Sequence, residues 1–537
     1  MRRVKALALC LAGAWFTAAP APSARAQDCA VPVVDTTSGA VCGIAAAAAP
    51  RVRAYLGIPY GQSTAGDNRW APPRTVKESS ATLDASTFGP ICPQAQAQAG
   101  GQPMSEDCLS LNVWSPAAGA GDKLPVMVFL HGGAFVIGSS RNPLYQAGKL
   151  AAHGQVVVVS LNYRLGALGF LAGLEGLAGN YGLLDQRLAL QWVRDNIAGF
   201  GGDPAKVTLF GESAGAMSVG LHLISPESAP LFRAAIMESN PYGIPYKTPK
   251  QAERLAVLLR DSLACEAGGI ACMRTRPFKA IVANQKSALL KLQGVLSGLS
   301  GFLHWAPVLD GTLVPAQPAA SPIAKPAIIG TNRDEGVLFA TATGAKSLSK
   351  LEYELALTLL FPLKAVREIK QLGRYKPARG DNTQALARLI TDFLFTCPSR
   401  RVMAQADSPV FGYQFAQVPS YDMWPQIPLC APDQAKVCHA FELPFVFGNA
   451  TTIVEQPQPA AHEFTPAEQA LSERMMTAWT SFATTLNPGA DWPPFSPSQP
   501  TRLILASPTS KKTDLGANCA FWGSLGDPQS GILRQLP

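Results

Sequence analysis

The sequence predicts an α/β fold, a large and mostly parallel sheet flanked by helices. Three observations carry this: short β-branched runs bounded by Gly or Pro, helical periodicity between them, and two glycine turns placed directly after strands. The strand runs are Val126–Leu130, Val156–Leu161, Val207–Phe210 and Ala327–Gly330. Between them Leu184, Leu188 and Trp192 recur at four-residue spacing, and Gly199 and Gly201 close that helix. In such sheets the working site lies at the carboxyl ends of the strands. Residues 340–410 read as mostly helical and form a cap over the sheet. Pro457–Pro466 reads as an exposed loop, and Ala45–Ala49 as a hairpin tip.

The chain has 537 residues, 47% of them hydrophobic and 15% charged. That composition supports a large buried core and excludes a disordered solvating chain. The N-terminus reads as a signal peptide over residues 1–26. Arg2, Arg3 and Lys5 precede an apolar run from Ala6 to about Ala19, and Ala24-Arg25-Ala26 forms a small-x-small cleavage site before Gln27. Its removal takes the formal charge from +8 to +4, because four basic residues and no acid leave. So modest a charge, unclustered, argues against nucleic acid as a partner. No later apolar run is long enough for a membrane anchor. Residues 27–537 then read as one domain, exported to the periplasm or medium. Eleven cysteines less Cys10 leave ten, an even number that in an exported chain reads as disulfides. No Cys-x-x-Cys pair occurs and the six histidines are scattered, so neither a metal site nor a cofactor is expected.

The chemistry concentrates in two turns. Gly211-Glu212-Ser213-Ala214-Gly215 follows the strand Val207–Phe210 and precedes a helix start. Glycines there let the chain turn sharply and expose the serine as a nucleophile. His131-Gly132-Gly133-Ala134-Phe135 follows Val126–Leu130. Its glycines let backbone N–H groups approach a substrate, so Gly132, Gly133 and Ala214 are the candidate oxyanion donors. Of the histidines, His131 belongs to the glycine turn, His153 to a helix-ending His-Gly and His222 to the helix after the elbow. His304 and His462 lack a catalytic context. His439 lies far downstream, where the base belongs in the order nucleophile, acid, base. The acid falls between, at Asp334 or Glu335, just after the strand Ala327–Ile329. Spacing alone does not choose between them.

These residues resemble the type-B carboxylesterase family, the group of the α/β-hydrolase fold that includes cholinesterases. The similarity runs from Tyr55-Leu56-Gly57-Ile58-Pro59-Tyr60 through Glu106–Val113, Phe200–Pro204 and the elbow. It continues through Pro307–Gly311, His439–Phe447 and Trp479–Ala483 to Cys519–Trp522. The resemblance implies a serine esterase with Glu335 as the acid beside Ser213 and His439. It also implies disulfides Cys92–Cys108, Cys265–Cys272 and Cys397–Cys519, leaving Cys29–Cys42 and Cys430–Cys438 to pair by proximity. The last would clamp the loop of His439. Two departures stand out. The Cys92–Cys108 loop is short, rich in glutamine and without a tryptophan to face a quaternary ammonium, which argues against a cholinesterase. Gly61–Asn68 lacks the proline pair usual there.

The expected activity is therefore hydrolysis of a small-molecule carboxylic ester through an acyl-enzyme, with Glu212 tuning charge beside the nucleophile. A lipase or polyester hydrolase on the same fold is the alternative. A non-catalytic binding relative is disfavoured because Ser213, Glu335 and His439 are all present. A serine peptidase is disfavoured because no propeller-like repeats occur. Substrate identity and oligomeric state are not encoded in these motifs.

Overall fold

The computed structural model describes residues 29–95, 101–117, 119–292, 303–341, 347–453, 460–507, 511–514 and 518–524. The expected signal peptide (1–26) and Pro457–Pro459 lie outside the described residues.

Eleven strands form the main sheet. In chain order they are β1 (Ile44–Ala46), β2 (Ala49–Pro59), β3 (Ser110–Ser115), β4 (Leu124–Leu130), β5 (Val157–Leu161), β6 (Gly202–Glu212), β7 (Ala234–Glu238), β8 (Ala327–Asn332), β9 (Val410–Phe415), β10 (Thr501–Leu505) and β11 (Lys511–Asp514). Their order across the sheet is β11-β10-β9-β8-β7-β6-β4-β5-β3-β2-β1. The stretch from β10 to β5 is parallel throughout, while pairings at both ends are antiparallel. The parallel centre explains why its strands are unbroken apolar runs: helices cover both faces, so alternation has no solvent side to serve. β1 and β2 form the hairpin expected around Ala45–Ala49.

The helix predicted from Leu184, Leu188 and Trp192 spans Tyr181–Asn196. The cap region holds the helices Lys350–Leu360, Leu363–Gln371, Thr383–Ile390 and Cys397–Ala404, the last two joined by a π-helical turn at Thr391–Thr396. One loop expectation fails at its edge. Pro466 is the first residue of the helix Pro466–Thr485, whose N-cap Thr465 and Glu468 form a capping box. Proline suits that position because its missing N–H has no helical acceptor to lose.

Five disulfides tie the chain: Cys29–Cys42, Cys92–Cys108, Cys265–Cys272, Cys397–Cys519 and Cys430–Cys438. No helix among the described residues is long and apolar enough to cross a membrane, and no acid, histidine or cysteine cluster there would hold a metal.

Candidate active site

The site is assembled from the carboxyl ends of β4, β6 and β8 together with the segment around His439. β6 ends at Glu212, and Ser213 turns the chain into the helix Ala214–Ile224 with φ 54° and ψ −119°. A non-glycine residue held there is strained by about 1–3 kcal/mol, so the surroundings must enforce it. They do so by close approach. A Cβ on Gly215 would stand 1.9 Å from the Leu130 carbonyl oxygen, so only glycine lets β4 and the elbow pack. The Ser213 N–H donates to the Glu238 carbonyl at 2.9 Å, and the Ser213 carbonyl starts the helix. The Ser213 residue is partly exposed between buried neighbours.

The second glycine turn lies against the first. A Cβ on Gly132 would meet Glu212 Oε2 at 2.5 Å and Ser213 Cβ at 3.2 Å. Gly133, Ala134 and Phe135 follow with φ of 106°, 54° and 62°. Such a run of left-handed residues turns successive N–H groups into a concave surface that favours anions. Among the described residues, no backbone acceptor takes the N–H groups of Gly132, Gly133, Ala134 or Ala214. Ala134 was not among the expected donors; its left-handed backbone is a tertiary fact, absent from the side-chain pattern. His131 is structural. Its ring stacks on Tyr163 at 4.4 Å and its Nδ1 lies 2.8 Å from the Gly132 carbonyl. Burial pulls its pKa down to about 4, so the ring is neutral and Nδ1 is the donor to that carbonyl.

Glu335 and His439 meet across two loops. Glu335 is fully buried, takes the Asn332 N–H on Oε1 at 2.6 Å, and places Oε2 2.5 Å from His439 Nδ1. Asp334 points elsewhere. Its Oδ2 accepts the Val437 N–H at 3.0 Å and its own N–H donates to the Val437 carbonyl at 2.9 Å. Adjacent acids thus hold neighbouring residues of one segment: Asp334 fixes Val437, and Glu335 meets His439. The Cys430–Cys438 bridge, with Cα atoms 5.9 Å apart, ties the residue between them. Trp424 Nε1 donates to the His439 carbonyl at 3.0 Å, and Phe339 and Phe395 pack edge-on to the imidazole.

His439 Nε2 faces the nucleophile elbow but not yet the hydroxyl. It lies 3.0 Å from Glu212 Oε1, off-line for a hydrogen bond, and neither atom has a hydrogen-bond partner among the described residues. The expected triad is therefore joined at its acid–base link, while the Ser213 hydroxyl makes no bond to Nε2. In unliganded sites such contacts are often loose and tighten with substrate bound.

Two further buried acids lie in this cluster, Glu442 beside His439 and Glu238 beside Glu442 and Glu212. Glu442 accepts from Ser239 Oγ at 3.3 Å and from Asn332 Nδ2. Glu238 accepts from Trp479 Nε1 at 2.7 Å. Burial, reinforced by Glu442 and Glu335, pushes the Glu212 carboxyl up to about 8, and burial with Glu335 pushes Glu442 up to about 7. Burial holds Glu238 well above the usual carboxylate range. Burial alone would lower His439, but Glu212, Glu335 and Glu442 outweigh it and raise the ring to about 9. Sequence reasoning gave Glu238, Ser239 and Asn332 no role. Their one signal was an acid inside the otherwise apolar run Ala234-Ala235-Ile236-Met237-Glu238.

A family model described as the carboxylesterase family matches residues 30–522. The chain belongs to the carboxylesterase family. Among curated relatives, this esterase is 36% identical over 486 residues to the para-nitrobenzyl esterase of Bacillus subtilis (strain 168), covering 86% of this chain and 93% of that protein. It is 33% identical to the acetylcholinesterase of Bungarus fasciatus, over 91% of this chain and 85% of that one. A solved structure of a PNB esterase superposes with a TM-score of 0.75 at 33% identity, covering 89% and 97% of the two chains. The chain is a serine ester hydrolase with the α/β-hydrolase fold.

Two predictions follow from the geometry. If His439 serves as the base it must be neutral, so kcat/KM should rise with pH as it loses its proton. Glu212→Gln removes a carboxylate that holds that proton, so the acid limb of the kcat/KM profile moves to lower pH; an unmoved or raised limb would contradict the charge assignment. Asp334→Ala releases Val437 and should lower kcat by about 10–100-fold with KM changed less than about threefold. Because Asp334 acts through the Glu335–His439 register, most of that loss should vanish when it is introduced into Glu335→Ala. Full additivity of the two substitutions, measured by kcat at matched folded fraction, would make Asp334 merely structural.

Proposed function

We propose that Ser213, His439 and Glu335 are the nucleophile, base and acid of this esterase. The supporting observation is the buried Glu335–His439 contact of 2.5 Å, which turns Nε2 toward the elbow carrying Ser213. In the proposed cycle the substrate carbonyl settles against the N–H groups of Gly133, Ala134 and Ala214, with Gly132 placing the turn against Ser213. Nε2 takes the Ser213 proton as Oγ attacks the carbonyl carbon. The oxyanion is held by the N–H groups, worth about 10²–10³ in rate for each donor. The tetrahedral species expels the alcohol, which leaves with the proton from Nε2. Water then adds to the acyl carbon as Nε2 takes its proton, and the second tetrahedral species releases the acid as its bond to Ser213 Oγ breaks and Oγ regains that proton. Glu335 holds the tautomer in which Nδ1 carries hydrogen. No step calls for a metal or a cofactor.

Residues 1–26 are proposed as an export leader and residues 27–537 as one catalytic domain, in keeping with the five disulfides. One observation favours the lipase variant of this reading. On the cap, Leu351, Leu355, Leu359 and Leu363 are 78%, 57%, 45% and 56% exposed, and the first three share a helix face. A series of aryl esters of increasing acyl length, run with wild type and Ser213→Ala, tests both points. Ser213→Ala should lose at least about 10⁴-fold in kcat on every ester. Turnover retained by the variant would end the assignment. Rates rising with acyl length only above the solubility limit would favour the lipase.

A further inference from the structure

A cavity of about 410 Å³ is lined by residues of the turn that follows Gly133. Val136 and Ile137 form one wall, and both donate their N–H groups to the Gly133 carbonyl, at 3.0 and 3.1 Å. The two features are nearly in contact: a Cβ on Gly133 would stand 2.2 Å from the Ile137 carbonyl oxygen. Gln94 locks this wall, donating to the Gly138 carbonyl and accepting the Gly138 N–H, each at 3.0 Å. Facing it, Phe278, Val282 and Lys286 recur at four-residue spacing on the helix Phe278–Leu292, and buried Trp305 closes one side. Gln285 is already engaged, its Oε1 accepting the Ala167 N–H at 3.1 Å.

The lining is mostly apolar and of a size that buries a ring-bearing group. Its charges have one sign: among the described residues lining it, the only ionisable ones are Lys279 and Lys286, seven positions apart on one helix face and both exposed. Such a pocket repels a quaternary ammonium and attracts an anion at the end of an apolar body.

We propose that this cavity receives one substituent of the scissile ester, and that this substituent is aromatic or similarly bulky and ends in a carboxylate. The inference rests on the reading of Gly133 as an oxyanion donor, since that places the cavity beside the reacting carbonyl. Exposed lysines attract weakly and are screened by salt, so the preference is modest and sensitive to ionic strength.

Two matched ester pairs test it without assuming which side enters. They are 4-carboxybenzyl acetate against 4-methylbenzyl acetate, and ethyl 4-carboxybenzoate against ethyl 4-methylbenzoate. In at least one pair the carboxylated ester should show a kcat/KM about five- to tenfold higher at low ionic strength. That ratio should collapse toward one above about 0.5 M salt and in Lys279→Gln/Lys286→Gln, and persist in the remote control Lys350→Gln/Lys364→Gln. Ala283→Trp, which fills the cavity, should lower the rate on both aromatic esters of that pair about tenfold relative to ethyl acetate. A ratio at or below one in both pairs, or a ratio the double lysine variant leaves intact, overturns the proposal. Failure of wild type on ethyl acetate and on all four aromatic esters would instead strike the ester-hydrolase reading beneath it.

Discussion

Four glutamates and one imidazole share a buried space at the strand ends, and they cannot all carry their ordinary charges. Glu212, Glu238, Glu335 and Glu442 are each less than 4% exposed, and His439 is 4% exposed. Unpaired buried carboxylates are costly, so burial favours their protonated forms, and a neighbouring cation favours the ionised ones. Glu335 takes a backbone N–H and faces His439 Nδ1. Burial and the neighbouring acids push Glu212 and Glu442 above the usual carboxylate range, which makes them adjustable neighbours of His439. The geometry of the elbow, the cap aromatics on the ring and the loop bridge all serve this one charge arrangement.

Backbone packing makes that arrangement possible. The turn after β4 and the turn after β6 approach so closely that side chains at Gly132 and Gly215 would collide with Glu212 and Leu130. The same approach fixes Ser213 in its left-handed conformation and leaves a set of N–H groups without backbone acceptors. Strain at the serine and free donors beside it are two consequences of one contact. A buried ion pair of Arg164 and Asp185, at 2.7 Å, anchors the exit of β5, inside the sheet, to the helix Tyr181–Asn196.

Much of this was legible in the chain because it is local. A strand, a glycine-flanked serine and a small-residue helix start occupy consecutive positions, and so does the turn at His131–Phe135. The choice between Asp334 and Glu335 was not local. Both follow the same strand, and only the direction of each side chain, set by the segment Val437–His439, separates them. The resemblance to esterases supplied that choice; residue spacing did not. Glu238 and Glu442 were hidden for a related reason, since an acid in an apolar run reads as a solvated edge until a neighbour such as Trp479 or Asn332 is seen to meet it. Pro466 shows the limit of composition: a proline-rich stretch reads as loop, while the capping box at Thr465 and Glu468 makes its last proline the start of a helix.

The central claim is that one serine, held by this elbow, forms the acyl-enzyme. Labelling the folded protein with a fluorophosphonate and mapping the adduct by peptide mass spectrometry tests it directly. The account predicts a single covalent adduct on Ser213, formed as the protein loses esterase activity in step. An adduct on another residue, or loss of activity with Ser213 unmodified, would contradict it.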